Sequence, residues 1–304
     1  MRAVVLLVSV AAIAGSPAGN RVPCAEADSL VDHLGPREIG VGEARRAAAI
    51  GALAVSLNPA GLPLTSELVF EGGYGYRMAD HASLVGVSAC DSTNPVPGCF
   101  FYQYVSASPE LDGMEHHRRA HTAGLTLSRH IAERVIIGGD VKYFDYESGV
   151  PGEKDASGFN WGVGALVRLT DIINLGIAGY NLWGAESVQY PRAIGAGVLV
   201  RPLVPLSASF DAVWNLDTEG STGRYGGGAE WFFSGGNGQV GYPIRAGALH
   251  DVATDGTYVT AGLGIATMKL GVDVAVRYQV GGGDELLIIG SLRVFGPRGT
   301  TGGP

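Results

Sequence analysis

From Ser66 onward the chain alternates apolar with polar or glycine residues at a period of two. In "ELVFEGGYGYR", Leu68, Phe70, Tyr74 and Tyr76 fall on one face, and Glu71, Gly73, Gly75 and Arg77 fall on the other. In "SGFNWGVGALVR", Phe159, Trp161, Val163, Ala165 and Val167 oppose Asn160, Gly162, Gly164 and Arg168. "LSASFDAVWN" sets Leu206, Phe210 and Trp214 against Ser207, Ser209 and Asp211, and "GVDVAVRYQV" sets Val272, Val274, Val276 and Tyr278 against Asp273, Ala275, Arg277 and Gln279. Such segments fall near 67–77, 81–90, 98–107, 117–129, 134–146, 158–169, 172–182, 191–201, 204–216, 223–233, 241–251, 256–267, 271–281 and 285–295. That is about fourteen predicted strands, each near the ~9 to 11 residues that cross a bilayer at a tilt.

The text before Ser66 is different. "GEARRAAAIGALAVSL" is Ala-rich and offers a short helix that Pro59 stops, which marks residues 19–65 as a separate N-terminal element. Ahead of it, "MRAVVLLVSVAAIAGSPAG" has one Arg, an apolar stretch and then small residues, the order of a secretory signal peptide. Cleavage after Ala18 suits the small-residue rule, with Ala14 as the other choice; Cys24 follows "RVP", which is no lipobox, so no lipid anchor is expected. Beyond the leader no apolar run approaches the ~20 residues of a membrane helix, so any membrane crossing must be made by strands.

Connections sharpen the prediction. Short ones at Thr170, Pro202 and Met268 alternate with longer ones after Glu147, Trp183 and Asp217, as expected of a barrel with periplasmic turns on one side and extracellular loops on the other. Tyr143, Phe159, Trp161, Trp214 and Tyr278 gather toward the long-loop side, and Trp231, Phe233 and Phe295 toward the short-turn side, suiting two interfacial girdles. A soluble β-sandwich also alternates, but it requires neither the leader nor uniform strand lengths. The prediction is therefore an all-β, 14-stranded antiparallel outer-membrane β-barrel over 66–295, with a short N-terminal periplasmic or plug segment over 19–65 and a tail over 296–304.

Composition fits this picture. Glycine, 48 of 304 residues, is about twice the usual ~7% and follows no collagen period, which points to turns and close backbone approaches. The formal charge of -8 excludes a nucleic-acid partner, because the chain concentrates no basic face. Charge is costly on a lipid face, roughly 2 to 4 kcal/mol for Arg or Lys at mid-depth, so Glu71, Arg77, Asp140, Lys142, Arg168, Asp211, Glu230, Arg245, Asp273 and Arg277 are expected to face the lumen. There they either brace it as paired charges or line a solute path; their mixed signs select no charged substrate.

Candidate chemistry is sparse. Cys90 and Cys99 flank the turn-rich "DSTNPVPG", and in an exported protein a structural disulfide between them is expected. His116, His117 and His121 lack a Cys, Asp or Glu set to complete a metal site and are read as a polar extracellular loop running into a strand. No Gly-x-Ser-x-Gly elbow or Walker sequence occurs, so neither enzyme activity nor a cofactor is expected. The final strand "ELLIIGSLRVF" ends on Phe295, which resembles the terminal aromatic read by the outer-membrane barrel assembly machinery, although "GPRGTTGGP" follows it.

One short motif adds a family resemblance. Asn58, Pro59, Ala60, Gly61 and Leu62, approached through small residues, resemble the N-terminal turn of the outer-membrane long-chain fatty-acid transporter superfamily, which includes PorV-like barrels of secretion systems. The resemblance implies a fourteen-stranded barrel entered directly after that turn, embedded among outer-membrane lipids. It implies passage of a hydrophobic small molecule or, as in the PorV-like relatives, a scaffold for secreted or surface proteins.

Overall fold

The computed structural model of the protein describes residues 35–111, 113–217, 222–235 and 238–296. The expected leader, Cys24, the first part of the N-terminal element and nearly all of the tail lie outside the described residues.

Fourteen strands form one sheet closed on itself. In chain order they are β1 (Leu68–Arg77), β2 (Ala82–Asp91) and β3 (Gly98–Ala107), then, after a two-residue hairpin of β4 (Glu110–Leu111) and β5 (Met114–Glu115), β6 (Arg118–Ala132), β7 (Val135–Ser148) and β8 (Ala156–Arg168). The wall continues through β9 (Ile173–Gly184), β10 (Ala193–Leu203), β11 (Leu206–Asn215), β12 (Gly223–Gly235), β13 (Val240–Asp251), β14 (Gly256–Thr267), β15 (Leu270–Gly281) and β16 (Leu286–Phe295). These bounds agree with the sequence-predicted segments to within about three residues; only the small hairpin was not anticipated.

Every neighbouring pair is antiparallel, and β16 returns to β1 in a register running from Val69 opposite Phe295 to Arg77 opposite Leu287. Closure leaves no edge strand, so backbone donors and acceptors are satisfied without water, the condition for lying in a bilayer. At the near end, where β1 begins and β16 finishes, strands are linked by 92–97, 133–134, 169–172, 204–205, 236–239 and 268–269. At the far end the links include 108–117, 149–155 and 185–192. The length asymmetry is weaker than the sequence suggested, since 78–81, 252–255 and 282–285 at the far end are as tight as 169–172 at the near end.

The faces are inverted relative to a soluble core. Phe70 and Tyr74 are 51% and 55% exposed, whereas Arg77 and Asp273 on the opposite row are each 1% exposed. Outward aromatics pair across strands: Tyr143 packs against Phe159 with ring centroids 5.2 Å apart and the rings tilted, and Trp214 meets Tyr225 edge-on at 6.2 Å, both toward the far end. Trp231 and Phe233 lie 6.1 Å apart toward the near end. Phe295 departs from the girdle expected of it. It shares the inward row of β16 with Ser291 and Arg293, half-buried beneath the Arg293 guanidinium at 5.4 Å, because the period of two places it there.

The barrel is filled by its own N-terminal segment. This comprises α1 (Pro36–Ile39), α2 (Ala52–Ser56) and a 3-10 helix over Pro59–Leu64, with Ile39, Ala44, Ala49, Ala54 and Ala60 completely buried. Pro36 and Pro59 each open a helical turn, where a missing N–H costs nothing. Gly51 enters α2 at φ 58°, a left-handed conformation natural to glycine.

Candidate functional site

The luminal segment lies against the wall at backbone distance, which its alanines and the wall's inward glycines permit. A Cβ on Gly164 of β8 would stand 2.1 Å from Asn58 Oδ1, and one on Gly226 of β12 would stand 1.9 Å from the Gly42 carbonyl oxygen. Part of the glycine excess is thus accounted for by the seat of the plug.

Asn58 is the pin of this seat. It is fully buried; its Nδ2 donates to the Arg46 carbonyl at 2.9 Å and to the Ala165 carbonyl at 3.1 Å, and its Oδ1 accepts from Ala60 N–H at 3.1 Å. One side chain therefore caps the 3-10 helix, ties it to the earlier loop and ties both to β8. Pro59 and Ala60 follow against Gly138 of β7; Gly61 passes over the Ala49 carbonyl, and Leu62 packs beside Cys90, Cys99 and Phe101.

Charged side chains make further contacts. Glu71 accepts from Arg37 at 3.1 Å and from Ser291 at 2.9 Å; Glu230 meets Arg45 at 2.8 Å and Arg245 at 2.6 Å; Asp273 bridges Arg245 and Arg293 at 2.7 and 2.6 Å. A second group joins Glu43 of the plug to Arg277 at 2.6 Å and Arg224 at 2.9 Å, with Glu285 on Arg277 at 2.7 Å. Arg46 reaches Asp211 at 3.0 Å and the Tyr180 hydroxyl at 2.7 Å. Buried charges arranged this way contribute little net stability but fix geometry, because removing one partner strands the other.

Six of the ten residues expected to face the lumen therefore pair with the plug or with one another around it: Glu71, Asp211, Glu230, Arg245, Asp273 and Arg277. Asp140 and Lys142 pair with each other at 3.3 Å, and Arg77 binds Asp80 at the far end. Arg168 is the exception: it is exposed at the near-end rim, donating to the Glu133 carbonyl at 3.0 Å, because β8 finishes there. The plug's own Arg37, Glu38, Glu43, Arg45 and Arg46 were missed. Their signal was available as a mixed-sign run in "PREIGVGEARR", complementary to a mixed-sign lumen.

Cys90 and Cys99 sit directly opposite on β2 and β3 and form a disulfide. The histidines do not converge: His121 Nδ1 is 2.8 Å from the Tyr102 hydroxyl, and His116 Nδ1 is 3.1 Å from the Gly149 carbonyl. Among the described residues no group of three metal-ligating side chains occurs.

Between the plug and the wall of β1, β2, β3 and β16 lies a mainly apolar cavity of about 80 Å³. Leu53 and Val55 of the plug face Leu84, Phe101 and Ile289 of the wall across it. Val85 and Val87 also border it, although they belong to the outward row of β2 and are 38% and 49% exposed. Between them Gly86 carries no side chain, and a Cβ there would meet only Gln103 Cγ at 3.9 Å. At this point the β2 backbone alone separates the cavity from the outer face. Glu38, which lies in α1 and not in a barrel strand, also borders the cavity; burial pushes its carboxyl up to about 8.

A closed barrel of fourteen antiparallel strands, apolar outside and filled by a pinned N-terminal segment, has the architecture of a plugged membrane-spanning β-barrel. The same fold is found in a Pseudomonas aeruginosa FadL homologue, at TM-score 0.65 and 12% identity over 86% of this chain and 97% of that one. It is also found in the Pseudomonas putida toluene transporter TodX (0.63, 12%, 87% and 98%) and in the CymD monoaromatic hydrocarbon channel (0.62, 12%, 84% and 97%). The fold thus agrees with the resemblance carried by Asn58 to Leu62. No protein-family model and no curated protein sequence matches the chain.

Proposed function

We propose that the protein lets small hydrophobic molecules pass the bacterial outer membrane, with residues 19–65 as the plug and Asn58 to Leu62 as its hinge onto the barrel. The observation that carries this reading is the apolar cavity, bounded inside by Leu53 and Val55 and bordered at Gly86 by side chains of the lipid-facing row. An apolar solute gains about 25 cal/mol for each Å² it removes from water, so a path from plug to bilayer that stays apolar keeps that gain throughout. The solved channels of the same fold support the reading, since they are described as carrying toluene or monoaromatic hydrocarbons.

The test is toluene uptake by cells lacking the gene, complemented with wild type or with Gly86→Phe. The aromatic side chain would occupy the cavity mouth while the barrel still shows heat-modifiable migration on a denaturing gel. Uptake should be restored by wild type and not by the variant. Equal uptake in deleted and complemented cells would reject transport and favour the alternative, a scaffold for a secreted or surface protein.

A further inference from the structure

The cavity is not uniformly apolar. Glu38 is 1% exposed, and only one of its two oxygens is used: Oε1 accepts from Gly35 N–H, whereas Oε2 is buried with no hydrogen-bond partner. Ser88 of β2, which also borders the cavity, has a second buried oxygen, Oγ, that likewise has no partner. The other carboxylate bordering this space, Glu71, is occupied by Arg37 and Ser291. A buried polar atom without a partner costs about 1 to 3 kcal/mol, so two around one small cavity are a departure that a bound molecule would repair.

We propose that the cavity is a binding site for a small apolar molecule bearing one hydrogen-bond-accepting oxygen, such as an aryl ketone, whose oxygen is held by Glu38 with Ser88 as the second donor. The assignment rests on the reading of the cavity as a hydrophobic passage and narrows its substrate class. The chemistry follows from the hydrogen bonds. With Oε1 taken by an N–H, a protonated Glu38 carries its proton on Oε2, and an O–H without an acceptor selects a ligand that brings one. The raised affinity of Glu38 for its proton, due first to burial and opposed by the nearby Arg37 charge, agrees with that state. A pure hydrocarbon would fill the same space and leave both donors unsatisfied; discrimination of this kind is larger than discrimination by shape alone.

The experiment compares acetophenone with ethylbenzene, which are similar in size and neither of which titrates. Full-length protein in detergent micelles is titrated calorimetrically with each, for wild type, Glu38→Leu, Glu38→Gln and Ser88→Ala. The ratio of the two affinities is the readout, because partitioning into micelles cancels between variants. Wild type should prefer acetophenone about three- to tenfold more than Glu38→Leu does, the range one net hydrogen bond supports. Glu38→Gln, which keeps a donor, should retain most of the preference, and Ser88→Ala should lose part of it. Equal ratios in wild type, Glu38→Leu and Ser88→Ala would overturn the assignment; the Ser88 variant covers the case in which Glu38→Leu fails to fold. Cells that take up toluene with protein that shows no such preference would sink this inference and spare the passage. Cells that take up no toluene, with protein that shows no such preference either, would sink both.

Discussion

Replacing Asn58 by Ala should release the plug without opening the barrel. The side chain makes three hydrogen bonds from a fully buried position, and the substitution removes all of them while leaving the Arg46 carbonyl without that donor. At about 0.5 to 1.5 kcal/mol each, the loss comes to about 2 to 4 kcal/mol. Since 1.4 kcal/mol is tenfold, the undocked fraction should rise between about 30-fold and about 1,000-fold. Barrel stability should change little, because the wall contributes only the Ala165 carbonyl to this set.

Limited trypsin digestion reads the undocked fraction directly. Arg45 and Arg46 are buried against Glu230 and Asp211 in the docked state, so cleavage after either residue reports release of the segment. When opening and closing are faster than cleavage, the rate follows the open population. Asn58→Asp keeps the cap to Ala60 but sets a carboxylate oxygen against the Arg46 and Ala165 carbonyls, so it should release the plug at least as much as Asn58→Ala. A cleavage rate within about threefold of wild type would refute the account of Asn58 as a pin. So would loss of heat-modifiable migration, since the barrel would then depend on the residue too.

The neighbouring contacts set further expectations. Arg277→Leu strands Glu43 and Glu285; breaking a buried pair costs about 3 to 5 kcal/mol, and Arg224 still holds Glu43, so the lower figure is expected in urea unfolding from lipid vesicles. Cys90→Ser with Cys99→Ser should cost about 2 to 3 kcal/mol in the same assay, the closure entropy of a short loop. Glu38 makes plug docking pH-dependent: its buried pKa, about 8, is raised above the ordinary 4.5, so its contribution is complete below about 4.5 and is lost as pH rises through 8. Tryptic release should therefore increase from pH 5 to 8.5 after correction for the protease's own profile, and Glu38→Gln should flatten that slope.

The strands were legible because both faces of a membrane barrel are constrained. Lipid outside and paired charge inside force the period of two to run the full strand length, as in β15, where Val272, Val274 and Val276 face out and Asp273 and Arg277 face in. The plug was legible only as a composition change ending at Asn58. Its helices are too short to develop a periodicity, and its partners are remote: Arg46 meets Asp211 across 165 residues and Glu43 meets Arg277 across 234. No local pattern encodes such pairings. The cavity was equally invisible, because it is defined by Gly86 lacking a side chain opposite Leu53 and Val55 of a distant segment.

The use of ion pairs to seat the plug has a physical consequence. An all-apolar plug would be held in proportion to its buried area, and any displacement would expose grease to whatever water entered. Glu43, Arg45 and Arg46 instead face charged partners on the wall, and both members of each pair can be hydrated once they separate. Such pairs penalise a misplaced plug strongly, since a shifted register leaves buried charges unmatched, yet they add little to the cost of leaving the seat altogether. Apolar contacts add to this at Ile39, which joins the wall cluster that holds Leu287 and Ile289, and at Val55 and Leu62, which pack against the disulfide-braced β2 and β3. The plug is thus fixed in position by charge and anchored at its C-terminal end by Asn58 and by packing. Its N-terminal end is held as well, by Ile39 in the apolar cluster of the wall and by Arg37 on Glu71.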